Sequence, residues 1–113
     1  MKAVPIYNDE EKKFLVGYTI MCPGCEEHHL IDSRWTFNGN LDKPTFTPSL
    51  LSRYRHPKGY NNTNPAPLNY KGEYIEEVCH SFITDGNIQF LGDCTHKLKN
   101  QTVELPENKW PDE

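Results

Sequence analysis

The sequence predicts a mainly β fold, a small antiparallel sheet or barrel-like single domain that spans residues 1–113. Short runs rich in β-branched and aromatic residues recur along the chain, and turn dipeptides separate several of them. No segment repeats its apolar residues with a sustained helical period. Only 35% of the residues are apolar, so the core is lean, and a chain of this kind benefits from a metal or from disulfides.

The first predicted strand covers residues 13–21 and leads directly into Cys22. Its composition, Lys-Phe-Leu-Val-Gly-Tyr-Thr-Ile-Met, is dominated by residues that favour strands. Residues 29–37 predict one or two further short strands. The Asn38-Gly39 dipeptide that follows is typical of a tight turn, because both residues tolerate positive φ.

The middle of the chain predicts extended structure followed by a long loop. Pro44 and Pro48 exclude a helix around them, since proline lacks the amide hydrogen that a helix needs. An extended pattern resumes from Leu50 to Tyr54. Residues 55–72 are rich in Asn and Pro and predict an exposed loop, interpreted as a surface insertion in preference to a functional lid.

The clearest local pattern is a hairpin. Residues 74–84 alternate in the manner of a strand, Asp85-Gly86 fits a two-residue turn, and residues 87–94 predict the returning strand. A short strand is also expected at residues 102–105, before Pro106.

The turn fixes the register of this hairpin. With Asp85-Gly86 in the loop, Ser81 faces Phe90 and Cys79 faces Gly92. Cys79 and Cys94 then become diagonal neighbours on one face of the sheet. His80 points to the opposite face, with Asp93 near it.

The four cysteines predict a zinc site made of Cys22, Cys25, Cys79 and Cys94. The first two form a C-x-x-C knuckle, and the other two come from the hairpin, which gives the tetrahedral thiolate set of structural zinc. His96 is the alternate ligand, because Cys94-Thr95-His96 can present both side chains on one side. His80 and His29 are weaker alternatives.

Charge and composition restrict the compartment and the partners. The net charge of −4 disfavours binding to nucleic acid by phosphate neutralisation. No apolar run is long enough for a membrane span, and the N-terminal residues lack the apolar core of a secretory signal. The expected location is therefore the cytosol, where thiols stay reduced and bind metals more often than they form disulfides.

Several segments taken together resemble a family of small bacteriophage and prophage proteins of unknown function, whose members are often mislabelled "ammonia monooxygenase". The resemblance covers residues 22 to 105 and implies a phage origin and action in the cytoplasm of a host bacterium. An oxygenase activity does not fit a chain that lacks a membrane span and a dense histidine cluster. The segments that carry it are Cys22-Pro23-Gly24-Cys25, residues 35–40, residues 44–49, Cys79-His80-Ser81-Phe82 and residues 90–96.

These observations lead to the expectation of a zinc-stabilised interaction module that binds a host or phage protein. The alternative is a small zinc-dependent hydrolase in which His80, Asp93 and His96 lie near the metal. A weaker alternative is a binder of single-stranded nucleic acid that uses residues 53–56, where a tyrosine lies among cations. Ser49 and Ser81 show no triad in the sequence.

Overall fold

The computed structural model describes residues 1–12, 14–61 and 63–111, and within them it contains only strands, turns and irregular segments. Eight strands form two antiparallel sheets. The mainly β, antiparallel fold expected from the sequence is confirmed. The described residues form no helix that would reach across a lipid bilayer.

The first sheet has the order β1-β2-β3. Its strands are β1 (Ala3–Tyr7), β2 (Leu15–Cys22) and β3 (Glu27–Asp32). Cys22 ends β2, and Pro23-Gly24-Cys25-Glu26 turns the chain back into β3. The C-x-x-C knuckle is therefore the tip of a hairpin. Residue 13 of the predicted first strand lies outside the described residues.

The second sheet has the order β4-β5-β6-β7-β8. The predicted hairpin is its centre, and the pairs Ser81–Phe90 and Ile83–Ile88 confirm the predicted register. The strands are β4 (Thr36–Phe37), β5 (Phe46–Pro57), β6 (Tyr74–Thr84), β7 (Asn87–Phe90) and β8 (Thr102–Glu104).

The core contains buried residues from both sheets. Ile20 and Ile31 come from the first sheet, and Ile83, Ile88 and Phe90 come from the second. Alternation along β6 buries Cys79, Ser81 and Ile83 and leaves Phe82 and Thr84 exposed, as the period of two requires.

Several element bounds differ from the predictions, and one strand was not predicted. The returning strand ends at Phe90 and not at residue 94, because the chain turns there and the Cys94 amide donates to the Leu91 carbonyl. Cys79 and Gly92 are thus not a ladder pair. Residues 55–57 belong to β5 and not to the loop predicted at 55–72, since they pair with β6. The strand β1 was missed because Pro5 lies within it, which an edge strand of a sheet tolerates.

Candidate active site and metal centre

Ser49, His80 and Asp93 form a linear hydrogen-bonded series. Nε2 of His80 lies 3.1 Å from the Ser49 hydroxyl, and Nδ1 lies 3.0 Å from a carboxylate oxygen of Asp93. Both nitrogens of one imidazole are therefore engaged, one by a hydroxyl and one by an acid. This is the arrangement by which a base activates a serine and a carboxylate orients the base.

An irregularity in β5 places Ser49 near His80. Phe46 pairs with Ile83, but the next ladder pair joins Leu50 to Ser81, so three residues of β5 lie opposite one residue of β6. Bulges of this kind redirect a side chain out of the regular ladder and are frequent beside active sites. Ser49 is the last residue of this bulge, and its hydroxyl meets the ring of His80.

The segment after β7 positions Asp93. It continues beside β6 through backbone hydrogen bonds outside the regular ladder. The amide of Leu91 donates to the His80 carbonyl, and the amide of Thr95 donates to the Val78 carbonyl. The sulfur of Cys94 lies 3.2 Å from both the amide nitrogen and the carbonyl oxygen of His80. These contacts fix the turn against the backbone of His80 and confirm the prediction that Asp93 lies near this histidine.

This hydrogen-bonded series lies on an open face of the second sheet. His80 keeps 24% of its side chain exposed and Asp93 keeps 50%. Leu51 pairs with His80 across the ladder, Phe82 follows two residues later on the same face, and both are exposed. A substrate with large surface, such as a protein, can reach this face without entering a deep pocket.

The first group that could hold a metal ion contains Cys22, Cys25, His29 and Cys79, whose ligand atoms all lie within 4.8 Å of one another. The sulfurs of Cys22 and Cys79 are 3.8 Å apart. Two thiolates about 2.3 Å from one tetrahedral zinc would be separated by roughly this distance. Nε2 of His29 is buried and has no hydrogen-bond partner among the described residues. These residues can hold a metal ion.

The thiols of this group also compete for one negative charge, because ionisation of one of them disfavours ionisation of the others. Hydrogen bonds from Cys25 and then from Cys79 lower the pKa of Cys22 well below its usual range. The hydrogen bond to Cys22 raises the pKa of Cys25 to about 12, and the same neighbour raises the pKa of Cys79. A divalent cation would remove this competition, because it stabilises all of the thiolates together.

A second group contains Cys79, Cys94 and His96, again within 4.8 Å. Its histidine packs edge-on against Phe90 at 4.5 Å between ring centroids, and its Nε2 is buried without a partner among the described residues. The structure thus brings Cys22, Cys25 and Cys79 together with His29 and places Cys94 in the second group and against His80. His96 does not belong to the series that contains His80 and Asp93.

Sequence reasoning missed Ser49. The register of the β6–β7 hairpin predicts the face of the sheet on which His80 lies. The sequence does not show that β5 pairs with the other edge of β6. The prolines at 44 and 48 were the one available indication that the strand is irregular at this point.

A family model described as "Bacterial ubiquitination-like system serine protease (BubE)" matches residues 2–91. The matched region contains Ser49 and His80 and ends two residues before Asp93. No curated protein and no solved structure is significantly similar to the chain.

This match corrects the expected function. An interaction module of phage type, like a binder of single-stranded nucleic acid, conflicts with a protease family from a bacterial system, and the description gives no support for a phage origin. The hydrolase alternative was closer, although it assigned the chemistry to a metal. Because the model covers most of the sequence, the chain belongs to the BubE family of bacterial ubiquitination-like system serine proteases.

Proposed function

We propose that this chain is a serine protease whose nucleophile is Ser49, whose general base is His80 and whose orienting acid is Asp93. The observation that carries the proposal is the pair of hydrogen bonds from one imidazole, 3.1 Å to the hydroxyl and 3.0 Å to the carboxylate. The family match supplies the same class of reaction independently of the geometry. His96, which packs on Phe90, has no part in it.

The geometry supports the usual sequence of acyl transfer. With the Nδ1 proton held by Asp93, Nε2 of His80 accepts the hydroxyl proton while Oγ of Ser49 attacks the carbonyl carbon of a peptide bond. The carbon–nitrogen bond breaks, the imidazolium returns the proton to the leaving amine, and an ester to Ser49 remains. His80 then deprotonates a water molecule that hydrolyses the ester and frees Ser49.

An active-site probe tests this assignment. A fluorophosphonate phosphonylates serine hydroxyls that a base activates, and peptide mass mapping identifies the modified residue. We expect label on Ser49, none on Ser49→Ala, and full labelling of Ser33→Ala, a change at an exposed serine outside the triad. Label on another serine, or equal labelling of His80→Ala, would refute the assignment.

The substrate is expected to be a protein component of the ubiquitination-like system for which the family is named. The open face around His80 supports a protein substrate in preference to a small molecule. The place of action is the bacterial cytoplasm, and four cysteines without a disulfide support a reducing compartment.

The same chain binds zinc at Cys22, Cys25 and Cys79, with His29 as the fourth ligand. Three thiols and one imidazole form a donor set that zinc favours, and the unpartnered Nε2 of His29 supports this histidine over Cys94 as the fourth member. Four protein ligands would leave no open position, so the ion would stabilise the fold and take no part in the cleavage.

Elemental analysis separates this ligand set from the one predicted from the sequence. We expect wild-type protein to carry one zinc ion per chain, His29→Ala to lose it, and Cys94→Ala and His96→Ala to retain it. The reverse result for His29 and Cys94 would restore the four-cysteine site.

A further inference from the structure

Two strand edges near the triad lack a strand partner among the described residues. β5 is 12 residues long, but β4 pairs only with its first two residues, Phe46 and Thr47. From Leu50 to Pro57, no described strand lies on the side of β5 away from β6. β3 is likewise an edge of the first sheet. Such edges present backbone donors and acceptors that another extended chain can satisfy.

These edges face each other across a trough, defined as the two adjoining cavities between β3 and β5, of about 350 and 730 Å³. His29 and Leu30 of β3 and Leu50–Arg53 of β5 line the first cavity; Glu27 and residues 54–56 line the second. No Cα atom of β3 lies within 8 Å of a Cα atom of β5. An added strand lies about 4.8 Å from the strand with which it pairs, so β3 itself does not occupy that position beside β5.

The trough begins beside the nucleophile. The indole nitrogen of Trp35 donates to the Ser49 carbonyl at 3.2 Å, so this carbonyl points away from β6 and toward the β4 side. Backbone groups alternate between the two edges of a strand, so the amides and carbonyls of Leu51 and Arg53 point the same way, into the trough. A polypeptide paired with them would run along β5 and pass Ser49.

We infer that this trough binds an extended segment of the substrate as an added β-strand on β5, which presents its scissile bond to Ser49. The inference rests on the proposed protease function and adds the substrate class, an unfolded stretch of polypeptide such as a chain terminus. Only a peptide backbone offers donors and acceptors at the repeat of a strand edge.

Charge along the trough defines the occupant further. Arg53 lines the first cavity and has no ion pair among the described residues, whereas Arg34 in the same cavity is paired with Asp32. Residues of both signs line the second cavity, namely Glu26, Glu27, Arg55 and His56. The matching segment therefore carries an acidic residue where it passes Arg53.

The test uses Ser49→Ala protein, which cannot cleave, and a display library of random twelve-residue peptides as the probe. We expect the selected peptides to carry an acidic residue at a fixed position. N-methylation of alternate amides, the set that faces β5, should weaken binding about tenfold per methyl group, from a lost hydrogen bond and a steric block. Selection on the Arg53→Glu form should replace the acidic residue by a basic one, whereas the matched change Lys99→Glu should not.

The outcomes separate this inference from the proposed function. Fluorophosphonate labelling of Ser49 without any selected peptide, or with peptides indifferent to both N-methylation and Arg53→Glu, would overturn the trough assignment and leave the protease assignment standing. Peptides with the expected pattern, together with an unlabelled Ser49, would overturn the protease assignment and leave the trough as a peptide-binding site.

Discussion

Asp93 lies 3.0 Å from Nδ1 of His80 and yet keeps half of its side chain exposed. Water screens the charge of such a carboxylate, so its electrostatic effect on a protonated imidazole is smaller than that of a buried acid. In the proposed mechanism its remaining contribution is geometric, because it would hold the proton on Nδ1 and leave Nε2 free to accept one from Ser49. The turn at Leu91–Thr95 fixes this geometry through the backbone of β6.

We therefore predict that Asp93→Asn lowers the rate of fluorophosphonate labelling at Ser49 by about 10²- to 10⁴-fold, because the amide favours the wrong tautomer of His80. The rate constant is measured by quenching at intervals and quantifying the label. The control is Asp85→Asn, at a turn position of positive φ that asparagine also accepts, and it should label at the wild-type rate. An unchanged rate for Asp93→Asn would remove Asp93 from the triad.

At Gly17 the backbones of β2 and β3 leave no room for a side chain. Gly17 pairs with Asp32, and a β-carbon built on it would lie 2.3 Å from the carbonyl oxygen of Ile31. Because the obstacle is backbone, a side chain at this position forces the two strands apart and cannot be accommodated by a rotamer change.

Gly17→Ala is expected to lower the free energy of unfolding by about 1–3 kcal/mol, the usual cost of overpacking. Urea denaturation followed by tryptophan fluorescence provides the measurement. Gly39→Asn is the comparison, since Gly39 has open space around its α-carbon and a φ of 83° that asparagine tolerates. Equal stability of the two variants would show that β2 and β3 can separate without cost.

At the scale of a single secondary-structure element, local patterns determine what could be predicted from the sequence. The hairpin of β6 and β7, its register and the face of His80 followed from one turn dipeptide and a period of two, which are local properties. The bulge that carries Ser49 has no local signature, because it depends on how many residues of β5 lie opposite β6. The position of a side chain in such a bulge can be recognised only when the pairing of both strands is known.

At the scale of the whole molecule, the cysteine group contains residues from both sheets. Cys22, Cys25 and His29 belong to the hairpin of β2 and β3, and Cys79 belongs to β6. The sequence predicted that the C-x-x-C knuckle would meet the β6–β7 hairpin, because each of the two pairs of cysteines belongs to a separate turn or hairpin. It gave His29 only as a weaker alternative ligand, because the distance from this histidine to Cys79 depends on the packing of one sheet against the other.

Cys79 immediately precedes His80 in β6, so a metal at this group would stabilise both the fold and the strand that carries the proposed general base. We predict that removing zinc with a chelator lowers Tm by at least about 10 °C, given about 4 °C for each kcal/mol lost in a domain of this size. Labelling of Ser49 should fall in parallel, and added zinc should restore both.

Ser49→Ala protein separates the two effects. It cannot be labelled, but its melting temperature should fall by the same amount on chelation, because Ser49 is not a member of the cysteine group. If elemental analysis shows that the zinc has been removed while the melting temperature stays unchanged, the ion does not join the sheets. The hydrophobic core of Ile20, Ile31, Ile83 and Phe90 would then hold them together unaided.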